Sequence, residues 1–412
     1  MKMMSKMKTD PIARALELRK SLERENENGE KEFLFVDFTG TLQGKDTSKI
    51  IDTLPNSRGN YVYRCKCNDK TIDPLAVDVY GKEYFDVTSK TPAEIVNHIK
   101  GVEFDFAEWF RGMEGYDIKR AADFNLPIIT QIAGCNFHDG SPTGGCWYCF
   151  VDYSSNDGVP GKGKAFMTAK ESLEGAKNAR EKIKRSYMER AGFDIDPRVI
   201  RASGGEPTLA LDYVLGMWRE LKKQNLDFVG QLDSNLSTGK VVKKFEDEGI
   251  YEDNILKKLA SFNRTNPIKV LAAIKGVSAE NFENSVQSCM TTDDQMASLE
   301  SLLAAGMDIY PQMYNAEPAA LLPYLETMDE RIEKFSNKIH VGPIKIYGPT
   351  EARLTEYAKA NGKEPAQVIA EKKAEWDKNY AKDVEIIENY LMDNYGIHYK
   401  EIPRSEIRLR LL

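Results

Sequence analysis

The sequence predicts an α/β fold in which a parallel sheet is covered by helices. Two observations carry this expectation. From about residue 125 onward, six apolar strand-like segments alternate with helical ones, and strands buried on both faces need helices above and below them. The 412-residue chain, with 41% hydrophobic and 29% charged residues, is also long enough to bury one large core with appendages, or two domains. The pattern fits either a doubly wound sheet or a barrel, and in both the chemistry gathers at the carboxyl ends of the strands.

Residues 1–120 read as an N-terminal extension of one helix and short strands. The helix "DPIARALELRKSLEREN" gives way at "ENENGEKE", a solvated charged turn. The segments "FLFVDFTG", "NYVYRCKC" and "LAVDVYGKEYFDVT", rich in Val, Tyr and Phe, follow as strands. This stretch forms a small module of its own or an extension packed on the main domain.

Residues 121–350 form the main domain. Its first strand, "LPIITQIAG", ends directly before Cys135. The helix "MTAKESLEGAKNAREKIKRSYMER" follows, with Thr168 and Glu171 spaced as a capping box. Next come the strand "PRVIRAS", the helix "LALDYVLGMWRELKKQ" and the strand "LDFVGQLDSN". Helical pieces ending in "ILKKLASFN" lead to the strand "IKVLAAIKG", and the helix "DDQMASLESLLAAG" to the strand "MDIYPQMYN". A long helix, "PAALLPYLETMDERIEKFSN", precedes the last strand, "IHVGPIKIYG". Residues 351–412 read as a helical segment closed by a basic tail, "RSEIRLRLL".

Bulk properties exclude several roles. A net charge of −7 does not indicate a nucleic-acid surface. No run of about 18 apolar residues predicts a membrane span, and "MKMMSKMKTDP" lacks the apolar core of a secretory signal. Six cysteines without scaffold-like spacing point to free thiols in a reducing cytoplasm.

Three of those cysteines fall in "AGCNFHDGSPTGGCWYCFVD": Cys135, then Cys146 and Cys149 in C-x-x-C spacing. Two readings are open here. His138 completes a possible Cys3His zinc tetrahedron, giving a non-catalytic zinc-binding α/β protein. Alternatively, three thiolates hold a [4Fe–4S] cluster and leave one iron open to a substrate or cofactor.

Sixty residues on, "IRASGGEPTLAL" places Gly204, Gly205 and Glu206 just past the next strand. Two glycines let backbone approach a ligand closely, and a carboxylate beside them can receive an ammonium group. With the cysteine triad after the preceding strand, the chain resembles the radical SAM superfamily over roughly residues 125–348. The resemblance implies a partial (β/α)6 TIM-like barrel and a [4Fe–4S] cluster on Cys135, Cys146 and Cys149. S-adenosyl-L-methionine (SAM) would chelate the fourth iron, with Gly204, Gly205 and Glu206 at its methionyl amine.

Tyr148 matches the aromatic before the family's third cysteine. "LDSNLSTG" and "AAIKG" look like elements of glycyl-radical-enzyme activating enzymes, which would turn Ser234, Asn235 and Lys275 toward SAM. By position, Gln312, Tyr314 and Asn315 fall on the substrate side. The implied activity is reductive cleavage of SAM to a 5′-deoxyadenosyl radical that abstracts hydrogen from an unidentified protein or small molecule. An external one-electron donor, flavodoxin- or ferredoxin-like, is implied too. Two departures stand out: the spacing is C-x10-C-x2-C instead of C-x3-C-x2-C, and Ala273 replaces an acid of the activating enzymes.

Weaker signals do not compete with this reading. Cys65, Cys67 and Cys289 are too few for a second all-cysteine cluster, and Val96 stands where a cobalamin motif around His98 needs Asp. "GVPGKGKA" misses the P-loop pattern at Ala165 and reads as a flexible loop.

Overall fold

The computed structural model describes residues 10–37, 51–52, 64–65, 108–110, 112–116, 122–125, 127–161, 163–191, 194, 196–262 and 264–412. Its centre is a nine-stranded sheet: β1 (Glu23–Glu25), β2 (Lys31–Val36), β3 (Ile128–Ile132), β4 (Lys164–Thr168), β5 (Val199–Gly204), β6 (Val229–Ser234), β7 (Ile268–Ile274), β8 (Asp308–Met313) and β9 (His340–Val341). The order is β1-β2-β3-β5-β6-β7-β8-β9, with β4 also on β2. All six expected strands are present as β3 and β5–β9, and every neighbouring pair among them is parallel. They lie in chain order without a reversal, so the switch point of a doubly wound sheet is missing. Every residue of β7 is buried, as a parallel strand covered on both faces must be.

Ten helices of six residues or more accompany the sheet among the described residues: α1 (Pro11–Leu22), α2 (Ala169–Ala191), α3 (Leu211–Lys223), α4 (Gly239–Asp247), α5 (Ile255–Ala260), α6 (Ala279–Val286), α7 (Thr292–Ala304), α8 (Pro318–Arg331), α9 (Gly348–Ala360) and α10 (Pro365–Tyr395). Local chemistry starts several of them. Asp10 accepts from the Ile12 and Ala13 N–H groups at the head of α1. Thr168 and Glu171 form the expected capping box before α2, through 2.8 and 3.1 Å bonds. One sheet face packs Ile200, Leu232, Val270 and Ile309 beneath helical residues such as Tyr213 and Trp218. On the other, Val199, Val229, Leu271 and Tyr310 meet Trp109, Phe110 and Phe124. Trp109 stacks on Tyr310 with ring centroids 4.1 Å apart.

Two sequence expectations need correction. Lys164–Thr168, read as part of a flexible loop and then a helix start, is the strand β4, pairing antiparallel with β2 from Glu32↔Thr168 to Val36↔Lys164. As a strand, it puts Met167 into the core and packs Ala165 and Phe166 at its partly buried margin. The long helix ends at Arg331, because Ile332 and Glu333 turn to pair with Leu411 and Arg410. The basic tail is therefore docked: Arg408 lies 2.7 Å from Asp308, and the Leu412 N–H donates to the Arg331 carbonyl.

Strands β1 and β2 from the N-terminal stretch join the same sheet, with Phe35 opposite Ile132 on β3. Cys65 pairs opposite Ile51 in a two-residue ladder. Cys67, His98 and most of the second and third N-terminal strand expectations lie outside the described residues. No described helix is long and apolar enough to cross a membrane.

Candidate functional site

The site grows from the carboxyl end of β3. Immediately past Ile132 the chain enters the loop that carries the three cysteines, and backbone bonds fix its course. The Cys135 N–H donates to the Asn156 carbonyl, His138 to that of Cys135, and Cys149 to that of Cys146, at 2.9–3.1 Å. The ten-residue spacer is fastened to the body. Gln287 donates to the Thr143 and Gly145 carbonyls at 2.7 and 3.0 Å, and the Trp147 N–H to the Ser285 carbonyl of α6 at 3.0 Å. From the other side, α1 supports it: Arg14 donates to the His138 and Asp157 carbonyls, and Asn136 to that of Pro11.

The three thiols pack in one cluster, Cys146 buried and Cys135 and Cys149 partly buried. Burial, then the neighbouring Cys146 and Cys149, push the Cys135 thiol above its ordinary range. Burial does the same to Cys146, opposed by Lys275 and Arg353, while Cys149 adds to the rise. Two side-chain amides reach the sulfurs: Asn156 Nδ2 lies 3.7 Å from Cys149 Sγ, and Asn235 Nδ2 3.9 Å from Cys135 Sγ.

His138 lies in the same loop, and its Nε2 has no hydrogen-bond partner. Its Nδ1 accepts from the Gly140 N–H at 2.9 Å, and burial followed by Arg353 lowers its pKa to about 4. Among the described residues, no three His, Cys, Asp or Glu side chains converge on a single ion. An iron–sulfur cluster asks for a wider spacing, since each thiolate binds a different iron. The donor set fits such a group in charge as well. Two cations act on these thiols: Lys275, from the end of β7, whose field also reaches the Glu206 carboxylate, and the buried Arg353, which donates to the Cys149 carbonyl. A cation buried so deeply is costly without an anion facing it.

Gly204, Gly205 and Glu206 join this site from the end of β5. A Cβ on Gly204 (φ +99°) would fall 1.8 Å from Gln131 Cγ, and one on Gly205 would fall 1.7 Å from the Gly134 carbonyl oxygen. What the glycines admit is thus the chain's own β3 end. The Gly205 N–H donates to Ile132 and the Glu206 N–H to Gly134, at 3.1 and 2.7 Å. Glu206 is fully buried. Its carboxylate accepts from the Thr208 N–H (3.2 Å) and hydroxyl (2.5 Å) and from the Asn235 N–H (2.6 Å). Burial raises its pKa to about 7 against the pull of those bonds and of Lys275.

Asn235 links β6 to the cysteine loop through a 3.0 Å bond to Asn136 Oδ1. Ser234 spends its hydroxyl on the turn, accepting from the Leu236 N–H at 3.1 Å. Lys275 Nζ sits 5.4 Å from the Tyr148 ring centroid. Tyr148 is buried near Tyr314 and Trp376, and its hydroxyl has no hydrogen-bond partner. Asn315 on the substrate side is taken up structurally, bonded to Asn281, Ser285 and Asn379.

Sequence reasoning missed the contribution of α9. Thr350 Oγ1 and Arg353 Nη1 donate to the Cys149 carbonyl at 3.2 and 3.1 Å. It also missed a polar tier on the inner sheet face, one residue below the site. There Asp233 accepts from Arg201, Ser203 and Gln231, and both amide atoms of buried Gln131 lack partners.

No family model matches the chain, and no curated protein matches it. Among solved structures, it is similar to histidine-tagged anSMEcpe with bound AdoMet, at 17% identity and a TM-score of 0.31, covering 56% of this chain and 57% of that one. It is also similar to the cobalamin-dependent S-adenosylmethionine radical enzyme OxsB with aqua-cobalamin bound, at 10% identity and a TM-score of 0.35, covering 76% and 36%. The chain thus spans 57% and 36% of those two proteins, and both likenesses are distant.

Proposed function

We propose that the chain is a radical SAM enzyme, with a [4Fe–4S] cluster on Cys135, Cys146 and Cys149 and SAM beside it. One observation carries the reading: three thiols lie together past the carboxyl end of the first parallel strand, and the fields of Lys275 and Arg353 fall on them. A singly wound run of six parallel strands is also the material of a partial barrel.

A cluster held by Cys135, Cys146 and Cys149 would supply the electron for reductive cleavage of SAM to methionine and a 5′-deoxyadenosyl radical able to take hydrogen from substrate. The chain's part is to hold and to exclude. Glu206 offers its carboxylate to the methionyl ammonium, and Gly204 and Gly205 bring it against the cysteine loop. Asn235 and Lys275 present donors to SAM's polar groups, and Ser234 shapes the turn that aims Asn235. Tyr148, packed by Tyr314 and Trp376, covers the cysteines against water. The electron comes from an external one-electron donor, flavodoxin- or ferredoxin-like.

Anaerobic reconstitution with iron and sulfide tests the cofactor. Wild type should retain about four irons and four sulfides per chain. Cys135→Ala, Cys146→Ala and Cys149→Ala should each lose them, while His138→Ala should keep them. A colourless protein with one tight zinc that weakens in His138→Ala would support the zinc-binding alternative instead.

A further inference from the structure

We infer that Arg353 sets the electron affinity of the cysteine-held cluster, acting as a positioning residue through its charge. This rests on the reading of the site given above. Arg353 lies on α9, just over two hundred residues from the cysteines it serves. It is only 2% exposed, Nη1 donates to the Cys149 carbonyl at 3.1 Å, and Nε has no hydrogen-bond partner. No carboxylate pairs with it among the described residues.

A guanidinium stays charged at any pH the fold survives, and burying it without a counter-charge is costly. Its field falls on Cys146 and His138. The Cys146 thiolate is one anion on which that field falls. Reduction adds one electron to the cluster that the thiolates hold, with no bond made and no proton required, so the added negative charge meets a cation fixed beside it. Net charge and hydrogen bonding at the sulfurs are the levers that set such potentials. Thr350 donates to the same carbonyl at 3.2 Å without bringing charge. A mechanical clamp and an electrostatic effect can therefore be separated.

The test is a dithionite titration of the reconstituted full chain without SAM, followed by EPR, with iron and sulfide counted first. Arg353→Gln should keep its iron and be about tenfold harder to reduce at a fixed potential, a downward shift of ~59 mV for one electron. Arg353→Lys and Thr350→Ala should titrate with wild type. Should Arg353→Gln lose its cluster while Arg353→Lys keeps one at the wild-type potential, the requirement for charge stands. A fully loaded Arg353→Gln at the wild-type potential overturns the inference. So does an equal shift in Arg353→Lys and Thr350→Ala, which makes the contact a clamp. A wild type that takes up no iron and sulfide at all removes the cluster itself, which the metal count reveals before any titration.

Discussion

At the scale of single residues, burial decides chemistry. Asp383 on α10 is fully buried, neither carboxylate oxygen makes a hydrogen bond of ordinary geometry, and burial raises its pKa to about 7, only partly offset by the Ala316 backbone. The folded state therefore holds this proton to higher pH than the unfolded chain does. Stability from it is fully present below about pH 4, near an ordinary aspartate, and is lost as pH rises to about 7. Asp383→Asn cannot titrate, so it should gain on wild type by a few kcal/mol between pH 4 and 7. Urea unfolding at pH 5 and pH 8 checks this, and an equal difference at both pH values would contradict it. Glu206→Ala should leave the Asn235 and Thr208 N–H groups unpaired, costing about 1–3 kcal/mol and loosening SAM. Unfolding and SAM-binding measurements read the two effects separately.

At the scale of elements, β3 and β5 are joined by glycine. Gly205→Ala should force the β5 end off the Gly134 carbonyl, costing about 3 kcal/mol, the upper range for overpacking. It should also lower cluster retention, because Glu206 and the cysteine loop separate together; denaturant unfolding and iron counts read this. The six parallel strands and the cysteine and glycine elements at their ends were legible, since apolar runs and close motif spacing are local signals. Strand β4 was hidden beside a Gly/Lys loop, because pairing with β2 overrides weak local preference. Arg353 was illegible for another reason. A lone arginine on a helix usually faces water, and only the tertiary fold carries α9 onto the Cys149 carbonyl.

At the scale of the whole molecule, the two ends of the sheet do different work. The carboxyl ends gather the cysteines, Glu206, Asn235 and Lys275. At the opposite end, buried Asp308 meets Lys269, Lys338 and the tail residue Arg408, at 2.5–2.7 Å. Burial pulls the Lys338 pKa down to about 8 while Asp308 holds it up. Asp308→Asn leaves two buried lysines facing no anion and should cost about 3–5 kcal/mol of global stability. Thermal and urea unfolding of that variant, with its iron content unchanged once folded, would show that this end is structural. The most direct test of the central claim lies at the other end. Reconstituted protein is mixed anaerobically with dithionite and SAM, and 5′-deoxyadenosine and methionine are quantified by mass spectrometry. Wild type should yield both, and Cys149→Ala neither. A wild type that holds one zinc and leaves SAM intact would contradict the account.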